Sequence, residues 1–282
     1  MQIETFYPEH PLLKEYIEYY YFQKTGSDNF SNEYYAFPNT LQALNIHKNI
    51  SCEIDAHRVK VTGTKEDNYT VILQGRFGLP LHVQQKGKID KVTLIFKPLG
   101  LNHFITSSYD EIASQPSQIF TEWTKDKNYS AFLDSFYNEP DNNKRIHVLE
   151  TYLLTHYAPL NQASILQHSL NLLADFNEEL SVEEIAKELR LNERTFNRLF
   201  WKNLGVSPVA FRKIARFRHS LKNKLFANRF ATLTKIGYES NFYDQSYFNK
   251  IYKKVTGENP SRFFNSIEKL ADNQLIFRFV NK

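Results

Sequence analysis

The chain has 282 residues, which suggests two or three domains, and its 41% hydrophobic and 15% aromatic content is enough for a substantial core. No apolar run approaches the roughly 18–20 residues that cross a bilayer, and the opening MQIETFYPEH lacks the basic and apolar regions of a secretory signal. Cys52 is the only cysteine, which excludes an internal disulfide and a thiolate zinc cluster. We therefore expect a cytoplasmic protein without a membrane segment.

Charge is divided unevenly along the chain. Residues 179–282 hold 20 Lys and Arg against 10 Asp and Glu, a net charge of +10, whereas residues 1–178 carry a net charge of −6. A basic C-terminal third joined to an acidic remainder is typical of a nucleic-acid-binding module attached to a second domain. Many charge runs are only solvated faces, so this imbalance needs a second signal.

The N-terminal part has the pattern of a helix followed by a β domain. An amphipathic helix is predicted around His10–Phe22. From about Glu33 to Lys97, short apolar runs such as TVILQ and KVTLIFK are separated by Pro, Gly, Asn and Asp, which predicts a compact, mostly antiparallel sandwich or barrel. In the segment PLGLNHFI a strand is expected to give way to a helix.

Helical spacing takes over after the β domain, between about Ser130 and Phe176. The expected fold class is thus α+β. It has a cupin-like β-sandwich or barrel domain over residues 1–120, a helical linker over 121–177 and an all-α domain over 178–282. The helices around Arg145–Tyr157 and Asn161–Phe176 are candidates for a homodimer contact.

From Ser181 onward the chain is predicted to be entirely helical. Ser181 followed by Glu184 is a capping box, in which the hydroxyl accepts from a free N–H of the first turn and the carboxylate reaches back. The helix that follows carries an apolar stripe formed by Val182, Ile185, Ala186 and Leu189. The segment RLN then turns the chain, and Asn192 can cap the next helix.

A twenty-residue unit occurs twice, 52 residues apart. The segments NERTFNRLFWKNLGVSPVAF (192–211) and DQSYFNKIYKKVTGENPSRF (244–263) match without a gap at six of twenty positions. The identical pairs are Phe196/Phe248, Asn197/Asn249, Lys202/Lys254, Gly205/Gly257, Pro208/Pro260 and Phe211/Phe263. In both copies, apolar residues at helical spacing predict a buried face, and the second copy has Asp244 as its cap.

The polar face of each copy carries side chains that can read base edges, since Arg pairs with guanine and Asn with adenine. The first face consists of Arg194, Asn197 and Arg198, and the second of Gln245, Ser246, Asn249 and Lys250. Each copy follows a short predicted helix and a tight turn, which is the helix-turn-helix arrangement. An amphipathic bundle with a merely hydrated polar face is the alternative, and two copies in register in the basic part of the chain argue against it.

A single helix is predicted between the two copies, from about Pro208 to Phe226 with Leu225 on its apolar face. About twenty helical residues span ~30 Å, close to the ~34 Å between successive major grooves on one face of B-DNA. One chain can thus set two recognition helices into adjacent grooves, a task for which an ordinary helix-turn-helix dimer uses two chains.

Phosphate contacts are predicted from the flanks of the units, where they give a salt-dependent affinity without sequence information. The candidates are Thr195, Lys202, Lys213, Arg216, Lys253, Lys254 and Arg262. Gly205 and Gly257 are expected to end the recognition helices in a left-handed cap, with Pro208 and Pro260 starting the next helices. Trp201 can pack on the DNA backbone or on protein.

These residues resemble the DNA-binding domain of the AraC/XylS family of bacterial transcription regulators, over about Glu178–Phe264. The segment GYESNFYDQSYFNKIYKKVTGENPSRF carries the more specific part of the resemblance. It implies a sequence-specific, non-enzymatic regulator, such as an activator, whose base-contacting positions fall on the two polar faces. Gly237 stands where the family usually has Ala. Asn241 stands where it usually has Gly, and Asn tolerates the left-handed conformation of the turn.

The N-terminal segments AFPNTLQALNIH, LQGRFGLPL and IFKPLGLNHF resemble a poorly characterised domain found on such regulators, roughly over residues 5–120. AraC-type regulators often carry a cupin-like β domain that binds an effector. The resemblance implies a small-molecule effector and RNA polymerase as partners beside double-stranded DNA, and it names no ligand. The aromatic residues that either line an effector cavity or fill it as core are Tyr34, Tyr35, Phe37, Phe77 and Phe96.

Two other hypotheses stay open. In one, the β domain serves only dimerisation or contact with a protein partner, with no ligand. In the other, an enzyme carries an appended DNA-binding domain, but no catalytic constellation supports it. His47, His57, His82 and His103 form no His-x-His or Glu-x-x-His pair, so neither a metal site nor a cofactor is predicted. Cys52 has no partner His fixed by the sequence and fits a buried inert thiol.

Overall fold

The computed structural model describes residues 1–75, 78–226, 235–237, 240–242, 244–270 and 275–280. Within them the strands are, in chain order, β1 (Gln2–Phe6), β2 (Ile17–Lys24), β3 (Ser31–Ala36), β4 (Gln42–Lys48), β5 (Ile50–Asp55), β6 (Arg58–Gly63), β7 (Tyr69–Gln74), β8 (Leu81–Lys86), β9 (Asp90–Phe96), β10 (Ser117–Ile119), β11 (Glu268–Leu270) and β12 (Leu275–Phe279).

The α-helices of the described residues are α1 (Pro11–Tyr16), α2 (Tyr109–Ile112), α3 (Tyr129–Asn138), α4 (Asn142–His156), α5 (Ala163–Ala174), α6 (Val182–Glu188), α7 (Glu193–Leu204), α8 (Pro208–Phe226), α9 (Gln245–Thr256) and α10 (Pro260–Ser266). Residues 235–237 are also helical. Two 3-10 turns, Leu101–Phe104 and Glu122–Lys125, join these elements, and the first follows β9 where a strand-to-helix change was predicted.

The N-terminal helix is shorter than predicted. It ends at Tyr16, and the backbone of Ile17 is already extended. The following segment IEYYYFQK forms β2, with its central residues buried on both faces of the strand. Aromatic and β-branched side chains fit a buried pleated surface better than a helix. The prediction of one helix over His10–Phe22 is therefore wrong beyond Tyr16.

Within the described part of the chain, two six-stranded sheets form the β domain. Sheet A has the order β1-β2-β9-β4-β7-β10, and sheet B has the order β11-β12-β3-β8-β6-β5. The neighbouring strands are antiparallel except β6 and β8, which run parallel. The predicted, mostly antiparallel β domain is confirmed, and it recruits strands from both sides of the predicted range 33–97.

The two sheets face each other across a core that is partly apolar and partly polar. Ile72 of sheet A packs with Val83 of sheet B, while the side-chain amides of Gln23 and Gln85 are joined at 2.7 Å across the same space. The opposite face of sheet A is covered by α3 and α4, in a cluster that includes Phe22. Sheet A is therefore buried on both faces.

The two helices predicted as dimer candidates pack in different places. Leu149 and Leu153 of α4 lie in the cluster beneath sheet A. Leu166 and Leu170 of α5 join Phe196 in the core of the helical domain. Because the apolar faces of both helices are already buried within the chain, a dimer through them has to use their polar faces.

The C-terminal domain is not entirely helical, contrary to the prediction from Ser181 onward. After α10, β11 and β12 form an antiparallel pair, and β12 also pairs with β3 of the N-terminal domain. The segment LIFRF, residues 275–279, is rich in β-forming residues and completes sheet B. The chain thus returns to its first domain after finishing the second.

Candidate nucleic-acid interface

The first helix-turn-helix unit consists of α6, a turn and α7. Ser181 Oγ accepts from the backbone N–H of Glu184 at 3.1 Å, and the N–H of Ser181 donates to the Glu184 carboxylate at 2.7 Å, which confirms the capping box. Arg190, at φ 57°, makes the left-handed turn. The side chain of Asn192 then accepts from the N–H of Thr195 at 2.8 Å and starts α7.

The second unit repeats these devices. The Asp244 carboxylate accepts from the N–H of Tyr247 at 2.6 Å and starts α9, and Asn241 has the expected left-handed conformation, with φ 53°. The two recognition helices end at left-handed glycines, Gly205 with φ 67° and Gly257 with φ 81°. The predicted caps are therefore confirmed at both ends of both helices.

Each recognition helix buries the face that was predicted to be apolar. Phe196 and Phe200 of α7 are fully buried, with Leu199 partly buried beside them. On α9 the buried residues include Phe248, Ile251, Tyr252 and Val255. The predicted helix before α9 falls only partly within the described residues, and the side chains of Phe77 and Leu225 lie outside them.

The opposite faces of α7 and α9 point to solvent. Arg194 and Arg198 are exposed on α7, and the exposed set on α9 is Gln245, Ser246, Asn249 and Lys250. Asn197 is half-buried, and its side-chain amide donates to the carbonyl oxygen of Glu193 at 2.9 Å. Both faces thus offer hydrogen-bonding groups of the kind that read base edges, and their contact with DNA stays a prediction.

The predicted phosphate contacts divide into two groups. Most of the candidates are at least partly exposed, namely Thr195, Lys202, Lys213, Lys253, Lys254 and Arg262. Arg216 is only 8% exposed, is ion-paired with Glu179, and has its guanidinium 5.2 Å from the ring of Phe176. Its predicted role does not fit this position, because an approaching phosphate cannot reach a guanidinium held inside the domain.

Among the described residues, one long helix lies between the two units. α8 spans Pro208–Phe226, the predicted range, and its 19 residues correspond to ~28 Å. Phe211 of α8 belongs to the core of the first unit, and Phe217 and Leu221 belong to that of the second. The spacing of the two recognition helices is therefore governed by one continuous helix that is part of both cores.

Comparison with known proteins supports the assignment of helix-turn-helix units to the C-terminal domain. A family model described as "Helix-turn-helix domain" matches residues 185–266. The arabinose operon regulatory protein of Escherichia coli is 27% identical over 138 residues, which is 45% of this chain and 46% of the relative. An uncharacterized HTH-type transcriptional regulator of Staphylococcus aureus is 23% identical over 130 residues, 43% of this chain and 17% of that protein. The chain thus matches less than half the length of these curated relatives.

The C-terminal domain is an AraC-type helix-turn-helix domain. Among solved structures, ToxT from Vibrio cholerae aligns over 86% of this chain and 98% of its own, at 14% identity and a TM-score of 0.46.

The AraC-type domain is docked on the β domain through both of its units. At the first unit, Leu99 lies in the cluster with Phe196 and Phe200, and the side-chain amide of Asn102 donates to the carbonyl oxygen of Asn203 at 3.0 Å. Asn203 lies near the end of α7. The first recognition helix is therefore in contact with the strand-to-helix segment that follows β9, on the side of the helix that faces away from solvent.

At the second unit, the β domain contributes a residue to the core itself. Phe37 is 2% exposed and packs edge to face on Phe263, with ring centroids 4.8 Å apart. Arg218 of α8 donates from Nε to the carbonyl oxygen of Pro38 and from Nη2 to that of Phe37, each at 2.7 Å. These contacts hold α8 and the loop after β3 together.

A cavity of about 80 Å³ lies beside these contacts, between the sheets, α8 and β12. Its lining includes Tyr19, Tyr21, Tyr34, Phe37, Arg218 and Phe277. Burial lowers the pKa of Arg218 to about 10, so the guanidinium stays charged at neutral pH. Of the aromatic residues proposed for a cavity, Tyr34 and Phe37 line this one. Phe96 lies in the core beneath sheet A, and Tyr35 packs against the second unit.

The space between the sheets also holds buried polar groups that the sequence pattern did not reveal. Lys91 is 3% exposed, with Nζ 5.2 Å from the ring centroid of Tyr21. Burial, and then the charge of Lys91, lowers the pKa of His47 to about 3. The alternation Lys91-Thr93-Ile95 could have suggested an inward-facing lysine, but polar residues in such strands are normally assigned to the solvent side. Nothing in the sequence around Arg218 marks it as a cavity residue.

Among the described residues, no group of three or more His, Cys, Asp or Glu is placed to hold a metal ion. None of the helices in the described part of the chain is long and apolar enough to cross a membrane. Cys52 is half-buried, and burial raises the pKa of its thiol, which makes it a poor nucleophile.

Proposed function

We propose that this chain is a sequence-specific DNA-binding regulator of transcription that reads two adjacent major grooves. The observation that carries the proposal is the pair of solvent-facing polar helix faces, with matched caps and with α8 between them, packed into the cores of both units. Arg194, Asn197 and Arg198 contact bases in one groove, and the second set, Gln245, Ser246, Asn249 and Lys250, contacts bases in the next. Lys202, Lys253 and Lys254 neutralise phosphates.

The test is to incubate the purified chain with a pool of random DNA duplexes, over a salt titration, and to sequence the duplexes that it retains. We expect two short sequence blocks about one helical turn apart. Arg198→Ala should relax one block and Lys250→Ala the other, each by ~1–3 kcal/mol of base discrimination. Arg58→Ala and Lys86→Ala, exposed positions of the β domain, are the matched controls. Retention that falls steeply with salt and enriches no sequence would reduce the function to non-specific DNA association.

The cavity supports a second part of the proposal, control by a small anionic effector. Three tyrosines provide an aromatic lining, and Arg218 presents a half-buried cation that makes no ion pair with a carboxylate of the described residues. A volume of about 80 Å³ has room for a group of a few heavy atoms, such as a carboxylate with a short apolar stem. A ligand here would contact the β domain and the AraC-type domain together.

Butyrate and its neutral analogue butyramide form a matched pair of probes. We expect butyrate, and not butyramide, to raise the Tm of the full chain with concentration, because a ligand that binds only the folded state stabilises it. Arg218→Gln should abolish the rise. If neither probe shifts Tm in the wild type, the alternative is favoured in which the β domain contacts only a protein partner or a second copy of the chain.

A further inference from the structure

Strand β12 follows the helices of the C-terminal domain in the sequence, but it pairs with a strand of the N-terminal β domain. It follows the last helix of the second unit by a short segment, yet it pairs with β3 in the register Phe277↔Ala36 and Arg278↔Tyr35. The N–H of Val280 extends this ladder by donating to the carbonyl oxygen of Glu33 at 2.9 Å. Main-chain pairing of this kind is how an added strand docks on the free edge of a sheet.

The inner face of β12 is apolar and packs into the β domain. The ring of Phe277 lies 4.5 Å from that of Tyr34. Phe277 also packs against the cluster of Tyr19 and Ile95 on the opposite sheet. The side chain therefore bridges both sheets, and β12 is held by a side-chain anchor as well as by its backbone.

The outer face of β12 contacts the segment that directly follows the second recognition helix. Arg278 Nη1 lies 2.8 Å from a carboxylate oxygen of Glu258, with both side chains about four-fifths buried. Glu258 directly follows Gly257, the cap of α9. The guanidinium also lies 4.5 Å over the ring of Tyr35, which in turn stacks on the ring of His82 at 4.8 Å. One arginine thus connects β3 to the end of α9.

We propose that β12 is a latch that fixes the second helix-turn-helix unit to the β domain. The closed latch leaves the polar faces of α7 and α9 exposed, so it does not mask them. Instead it holds α9 at one position relative to α7, which lowers the entropy that DNA binding has to remove. This consequence for DNA reading rests on the proposed function, whereas the latch itself does not.

Two variants of the full chain open the latch in different ways. Arg278→Ala removes the ion pair to Glu258, and Arg58→Ala in the exposed pair with Asp55 of the same sheet is its control. Val280→Pro removes the N–H that bonds to Glu33, and Val280→Ala, which keeps that N–H, is its control. Val280 is 43% exposed, so neither change at this position creates a buried cavity.

Hydrogen exchange followed by mass spectrometry measures the latch directly. We expect amide exchange in peptides from residues 245–266 to become roughly three- to tenfold faster in Arg278→Ala and Val280→Pro. Exchange in residues 193–204 and in both control variants should stay near wild type. Unchanged exchange over 245–266 in both test variants would overturn the latch.

DNA binding by the same variants tests the consequence. On a duplex selected by the wild-type chain, opening the latch should weaken binding several-fold and relax the block read by α9 more than the block read by α7. Faster exchange with unaltered binding would overturn the preorganising role. If the wild type selects no sequence at all, the proposed function fails, while the exchange result still decides whether the latch exists.

Discussion

The two helix-turn-helix units share their local construction and differ in what supports them. Both recognition helices begin at a side-chain cap, Asn192 or Asp244, and end at a left-handed glycine. The first unit is completed by α5, takes Leu99 of the β domain into its apolar core, and accepts a hydrogen bond from Asn102 near the end of α7. The second takes Phe37 into its core and is followed by β12, which pairs with β3. The second unit is therefore the one more dependent on the β domain.

This difference shows that duplication of a sequence does not duplicate its surroundings. Caps and buried faces are specified by residues within a few positions of each other, so they recur when the unit recurs. Docking depends on residues more than a hundred positions away, such as Phe37 against Phe263. We expect the two units to respond alike to local changes and differently to changes in the β domain.

The largest expected effect comes from the paired core phenylalanines. Phe196→Ala and Phe248→Ala each remove a fully buried ring, and each should lower the free energy of unfolding by ~3–5 kcal/mol. Urea denaturation measures this loss, with Val209→Ala, at an exposed position of α8, as the control. In exchange experiments, Phe248→Ala should also loosen β3, whereas Phe196→Ala should not. Equally faster exchange of β3 in both variants would contradict the conclusion that the second unit depends more on the β domain than the first.

The next effect comes from acid and acts through the β domain. The pKa of His47 is about 3 in the folded chain against an ordinary value of 6.5. The unfolded chain therefore binds the extra proton, and stability is lost as the pH falls below about 6.5 towards 3. Between pH 6.5 and 4.5 this amounts to about 2–3 kcal/mol. His47→Gln should remove that share of the pH dependence, measured by urea denaturation at the two pH values.

His57, an exposed residue of the same domain, provides the control variant His57→Gln. Because the second unit depends more on the β domain, exchange over 245–266 should rise on acidification before exchange over 193–204 does. A first unit that loosens earlier, or a His47→Gln variant with an unaltered pH profile, would contradict this account.

Local signals in the sequence predicted the helical domain closely. The bounds of α8, the caps of α7 and α9 and their buried faces follow from spacing and from the special roles of Ser, Asn, Asp, Gly and Pro. The exposed faces were placed by the same spacing. What failed was non-local: Arg216 has a surface-type side chain but is buried against Glu179, and the run after Tyr16 became a strand because two layers cover it.

The contacts between the two domains could not be predicted from the sequence, because they too are non-local. A strand pattern at 275–279 is visible in the sequence, but its pairing with β3 depends on the folded position of two domains. The cavity likewise requires Tyr19, Arg218 and Phe277 to meet from three distant segments. The conformational preferences of single residues specify turns and helix caps, but they carry no information on contacts between segments that are far apart in the sequence.

The left-handed caps should show a smaller and unequal effect. Alanine in a left-handed conformation costs ~1–2 kcal/mol. At Gly257 a Cβ atom would meet nothing within 4 Å, so Gly257→Ala should show only this backbone cost. Gly205 is buried, and Gly205→Ala should cost more because the added methyl also has to be packed. Thermal denaturation of the two variants measures the difference, and a larger loss at Gly257 would contradict it.

The smallest effect concerns an identical pair of the repeat, Lys202 and Lys254, both exposed. Under the proposed function each neutralises one phosphate, so Lys202→Ala and Lys254→Ala should each lower the slope of log affinity against log salt by about 1, without altering the selected sequence. Lys86→Ala in the β domain should leave the slope unchanged.

The salt slopes of the two lysine variants should differ more when the latch is open. In the Arg278→Ala background, Lys254→Ala should lose part of its effect, because a second unit no longer held in place contributes less to binding, whereas Lys202→Ala should keep its own. Equal slopes for the two lysines in both backgrounds would mean that the β domain supports the two units alike when DNA is bound.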